Sequence, residues 1–138
     1  MLRFSVTIAI AFMLCGCSRQ KIIDADELRS DLTAAISLAS ETQTFVRYVG
    51  EKRATFNFAE GHLAYLVQTA RQAAQELDQS TPVHSIVRQF DEARKQLDAL
   101  AAQAGTLRAE LAARHAAPAS TRDLSRIQDR LMQIKSSL

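Results

Sequence analysis

From residue 83 to residue 111, apolar or small side chains return every three or four positions without a break: Val83, Ile86, Phe90, Ala93, Leu97, Leu100, Ala104, Leu107 and Leu111. A repeat of this kind lies along one face of an α-helix. It cannot lie on one face of a strand, whose side chains alternate every two residues. Three more segments step the same way. They run through Leu28, Leu32, Ala35, Ala39, Thr42, Val46 and Val49, then Phe56, Ala59, Leu63, Leu66, Ala70, Ala73 and Leu77, then Leu124, Ile127, Leu131, Ile134 and Leu138. No segment alternates with period two for long enough to predict a strand. The 138 residues hold only 4 Gly and 2 Pro, too few turn formers for an all-β fold with its many loops. The chain therefore reads as all-α: an antiparallel bundle of about four helices with a long third helix and a coiled-coil-like seam. The alternative architecture is a coiled-coil hairpin that completes its core by self-association.

Local signals place the helix ends. Asp24 followed by Glu27 makes a capping-box pattern, and Gly50 suggests the first helix's stop. Asn57 with Glu60, or Thr55, caps the second helix, which runs to about Asp78. Thr81-Pro82 predicts the third start, with Thr at the N-cap and Pro at the first helical position. Pro118 ends that region, and Ser120 or Thr121 caps the fourth helix. A continuous third helix from Pro82 to His115 would be about 50 Å long, against about 36 Å for the first two. Its last ten residues would then overhang the turn between helices one and two, with the fourth helix returning beside the overhang, unless Gly105 bends it over the tip.

The first residues carry a different pattern. Arg3 supplies a positive start, and Phe4 to Leu14 is uncharged and largely apolar. That run is shorter than the roughly 20 residues a bilayer span needs. It ends in Leu14-Cys15-Gly16-Cys17, which resembles the lipobox of bacterial lipoproteins: Leu at −3, a small residue at −1 and Cys at +1. Cys15 stands at −2, where Ala, Ser, Thr or Val is usual. The resemblance covers about the first 17 residues. It implies cleavage of residues 1–16, a lipid anchor on Cys17 and, with Ser18 rather than Asp at +2, an outer-membrane address facing the periplasm. An ordinary secretory signal and an uncleaved anchor are the other readings of this stretch. The expected organisation is thus 1–16 signal peptide, 17–23 lipidated Cys and short tether, and 24–138 helical bundle domain. Ser18 to Ile23 reaches at most about 20 Å when extended, which keeps the domain near its membrane.

Chemistry-bearing patterns are few. Formal net charge is +2 with no basic cluster, so no nucleic-acid partner is expected. There is no Gly-x-Ser-x-Gly elbow, phosphate-cradling Gly-rich loop or His-Glu-x-x-His, and no enzyme activity or cofactor is expected. No Glu has a His three residues later, so no di-metal bundle site and no metal is expected. The alternating charges Arg88, Asp91, Glu92, Arg94, Lys95 and Asp98 read as a solvated helix face. One concentration remains. Of the six aromatics beyond residue 16, five lie between residues 45 and 65. Phe45, Tyr48, Phe56, Phe58, His62 and Tyr65 should gather at the turn between helices one and two, as a candidate binding tip or as a plug closing an Ala-rich bundle. The expected function is a non-enzymatic, membrane-tethered helical interaction or scaffold lipoprotein with a protein partner in the cell envelope. The alternative is a small-ligand or metal-binding helical carrier or sensor that uses the aromatic and His tip.

Overall fold

The computed structural model describes residues 21–114 and 121–138. Cys17, His115, Pro118 and Ser120 lie outside the described residues. Within them the chain forms β1 (Lys21–Ile23), α1 (Ala25–Gly50), α2 (Phe56–Asp78), β2 (Ser80–Pro82), a 3-10 turn (His84–Ile86), α3 (Val87–Arg114) and α4 (Arg122–Ser136). The helices pack against one another as a bundle in which α2 lies chiefly along α3 and α1 chiefly along α4.

The apolar seams form the core. Every seam position of α1 is buried, as are Ile86 through Leu111 of the third segment and Leu124, Ile127, Leu131 and Ile134 of α4. In α2 Ala59, Leu63, Leu66, Ala70 and Leu77 are buried as expected, and Ala74 is buried where Ala73 was expected, Ala73 being only partly covered. Thr42 is the polar exception, and its hydroxyl donates to the Leu38 carbonyl at 2.8 Å, which satisfies it within its own helix. Polar pairs fix the antiparallel registers. Arg94 meets Asp78 at 2.7 Å, and Arg108 donates from Nε and Nη2 to one Glu60 oxygen. On the other side Gln43 donates a 2.7 Å bond to Gln128 and accepts one from Ser125 at 3.1 Å.

The structure corrects the expected tether. Lys21–Ile23 is a strand that pairs in parallel with Ser80–Pro82, Lys21 opposite Ser80 and Ile23 opposite Pro82. Parallel strands need a long crossover, and the α1–α2 hairpin supplies it. Strand alternation buries Ile23, at 1% exposure, and leaves Ile22 at 68%. Three residues are too few to show an alternation in sequence, which is why these strands were not expected.

The same pairing moves the start of the third helix. Pro82 closes β2, where its missing N–H costs nothing because Val83 supplies the next donor, to the Ile23 carbonyl at 3.0 Å. Regular α-helix then begins only at Val87. This shortens α3 at its lower end and removes the expected overhang. With Arg108 level with Glu60, Arg114 lies about 3 Å above Phe56, and with Arg94 level with Asp78 it lies about 3 Å below, so α3 through Arg114 ends near the level of Phe56.

Helix ends follow the side chains available. Asp24 caps α1 by accepting from the Glu27 amide at 2.9 Å. The Glu27 carboxylate pairs with Lys21 at 3.2 Å, so only half of the capping box forms. Thr55, not Asn57, caps α2, and Phe56 falls inside that helix. α1 ends at Gly50, as expected, but Gly50 is not the left-handed residue of the stop. The left-handed residue is Lys52, at φ 57°. Lys52 N–H bonds the Val49 carbonyl and Arg53 N–H bonds the Tyr48 carbonyl, a Schellman closure built on Lys instead of Gly.

Candidate functional site

The aromatic residues converge on the upper part of the α1–α2 seam. On α1, Glu41, Phe45 and Tyr48 share a face by their spacing of four and three. On α2, Phe58, His62 and Tyr65 form a stripe beside the buried positions Ala59, Leu63 and Leu66. The two stripes face each other across an antiparallel hairpin. Phe45 is the hub. It is only 8% exposed, and its ring lies 4.2 Å from His62, 5.9 Å edge-on from Phe58 and 6.4 Å from Tyr48. His62 stacks on Phe58 at 6.0 Å and reaches Tyr65 at 6.0 Å on its other side. The Arg53 guanidinium covers the Tyr48 ring at 4.9 Å.

Above Phe45 an open groove of about 450 Å³ is lined by Ser40, Glu41, Thr44, Phe45, Tyr48, Phe58 and His62. Glu41 is the carboxylate of this lining, 3.4 Å from His62 Nε2. Phe58 and Tyr65 are each 58% exposed, two of the few large apolar side chains on the described surface. Aromatic residues that served only as a plug would be covered. Here Phe45 plugs the seam, while Phe58 and Tyr65 stand out from it.

Ring contacts bring Phe45, Tyr48, Phe58, His62 and Tyr65 together. Phe56 is half-buried against the core and does not line the groove. Glu41, Ser40 and Thr44 were missed. Glu41 was legible in principle, because Glu41, Phe45 and Tyr48 fall on one helical face.

Other surfaces differ in chemistry. A larger groove of about 580 Å³ runs between α3 and α4, lined by charges of both signs including Arg88, Asp91, Glu92, Lys95 and Arg130, with no aromatic residue. Among the described residues, no three His, Cys, Asp or Glu side chains gather as they would to hold a metal ion. No described helix is long and apolar enough to cross a membrane. Compared with protein-family models, curated proteins and solved structures, the chain matches none.

Proposed function

We propose that this chain is a membrane-tethered interaction lipoprotein of the bacterial cell envelope, held by lipid on Cys17, that binds a protein partner through the α1–α2 groove. The observation that carries the reading is the exposure of Phe58 and Tyr65, 58% each, beside a groove floored by Phe45. Interfaces concentrate their binding energy in aromatic anchors of this kind. The groove is open, whereas a small-ligand site encloses most of its ligand's surface. That favours a macromolecular partner over a carried small molecule. The anchor half of the reading is supported by the Leu14-Cys15-Gly16-Cys17 pattern behind a short apolar run.

Both halves are tested on the membrane-extracted protein. Mass spectrometry should find lipid on Cys17 and no residues 1–16, and Cys17→Ala should block both. Crosslinking and affinity capture with wild type should recover a partner that Phe58→Ala/Tyr65→Ala loses at least about tenfold, as two interface anchors of about 1 kcal/mol or more would require. A soluble, unlipidated wild type would overturn the anchor. Undiminished capture by the double variant would overturn the groove.

A further inference from the structure

The described surface exposes five large hydrophobic side chains. Phe58 lines the groove, Tyr65 stands beside it against His62, and Met132 lies along α4. Ile22 and Val87, at 68% and 40% exposure, belong to the opposite end of the bundle, the base formed by β1, β2 and the start of α3. We propose that this base, through Ile22 and Val87, rests against the lipid surface that Cys17 enters, so that the bundle stands upright with its groove pointing away from the membrane. The proposal rests on the lipid-anchor reading and adds an orientation to it.

Chain length carries the argument. Only three residues, 18–20, separate Cys17 from β1, so the Lys21 Cα stays within about 14 Å of the Cys17 Cα. The headgroup region alone is several ångströms thick. β1 cannot act as extra slack, because it is paired along its length with β2 and Ile23 is buried in the core. The rigid body thus begins at the membrane surface. Strand alternation turns Ile22 outward next to this point. Val87 lies at the same end, four residues after Val83, whose amide bonds the Ile23 carbonyl. The contact is apolar. Lys21 is paired with Glu27, and Arg29 with Asp26. Vesicle charge should therefore matter little. The groove residues Glu41 to Tyr48 lie 16 to 23 positions along α1 from its first residue, about 24 to 35 Å from the base. A partner would meet them well clear of the headgroups.

The chain has no Trp, so one introduced indole reports alone. Ile22→Trp and Phe58→Trp are made in the full chain, and lipid on Cys17 is verified by mass spectrometry. Each is reconstituted into phosphatidylcholine vesicles with and without brominated acyl chains, and again with anionic lipid added. Emission from the Ile22→Trp protein should shift to the blue and fall by about half with bromine, as a ring seated roughly 5–10 Å into the headgroup–acyl boundary would. Emission from the Phe58→Trp protein should do neither, although its indole has the same preference for interfaces. A lipidated Ile22→Trp protein whose emission bromine leaves unquenched overturns the proposal while leaving the anchor intact. Equal quenching of the two variants also overturns it, because the bundle would then lie on its side. Absence of lipid on Cys17 overturns the anchor reading and this orientation together.

Discussion

The two ends of the bundle are closed by different means. At the base, the backbone closes the structure: β1 pairs with β2, residues nearly sixty positions apart, and Val83 extends the pairing by one more bond. At the tip, side chains close it. Phe45 fills the α1–α2 seam with its own ring and those of His62, Phe58 and Tyr48 around it. A backbone clip tolerates many side chains but fixes position rigidly. A ring cluster fixes less backbone, and it leaves aromatic faces available to a partner. The difference matches the roles proposed for the two ends, one held at a surface and one offered for contact.

Truncating the buried member at each end tests this contrast most severely. Phe45→Ala should cost about 3–5 kcal/mol, because it removes a buried ring and leaves a cavity between two helices. Ile23→Ala should cost about 2–5 kcal/mol by the same mechanism, yet the strand ladder remains because its bonds are backbone bonds. Denaturant melts give both values, and native-state hydrogen exchange separates them. Ile23→Ala should raise exchange at the Val83 amide while leaving the Arg53 amide, bonded to Tyr48 at the tip, unchanged. Phe45→Ala should do the reverse. Effects spread evenly over both ends would mean that base and tip do not behave as separate closures.

The ends also differ in how far the sequence revealed them. The aromatic cluster was legible because five rings between residues 45 and 65 stand out in any composition, and helical spacing then sorts Phe58, His62 and Tyr65 from the buried Ala59, Leu63 and Leu66. The long seams were legible for the same reason: a repeat sustained over many turns has no competing explanation. The base was not legible. Ile22-Ile23 and Ser80-Thr81-Pro82 are too short to carry a period, and their pairing is a tertiary fact. Without that pairing, Lys21–Ile23 reads as part of a tether and Pro82 as the first residue of a helix. A helix counted from Pro82 overhangs the far end, whereas the Arg94–Asp78 and Arg108–Glu60 pairs bring Arg114 near the level of Phe56. Lys52 shows a smaller version of the same problem. Gly50 is the residue that prefers a left-handed conformation, and α1 does end there, but the left-handed turn itself falls two residues later, on Lys52.

A milder substitution sharpens the division within the tip itself. Phe58 and Tyr65 are mostly exposed, so Phe58→Ala and Tyr65→Ala should each cost less than about 1 kcal/mol of stability in denaturant melts, far below Phe45→Ala. Losses near roughly 3 kcal/mol would show that both rings are core, and the groove would lose its claim to be a binding surface.

The smallest expected effect lies at the base and concerns charge. Asp31, on the first turns of α1, has its pKa raised above the ordinary 3.8, chiefly because burial disfavours the carboxylate, with Lys21 opposing and Glu27 and Glu76 adding to the rise. A carboxyl group whose pKa is raised by folding subtracts stability at pH values above its folded-state pKa, where it must be ionised in the native state. That loss is recovered as the pH falls through the raised value towards 3.8, since the native state then takes up the proton more readily than the unfolded one. Asp31→Asn should therefore stabilise the protein slightly at about pH 7, within the roughly 0.5 kcal/mol usual for surface substitutions. The advantage should shrink as the pH falls through the raised value and vanish only well below the ordinary 3.8, where wild-type Asp31 is neutral in both states. Thermal melts of the two proteins across that range measure it. An Asn variant less stable than wild type at neutral pH would mean that the Lys21 attraction outweighs burial, and that the base is held by charge as well as by backbone.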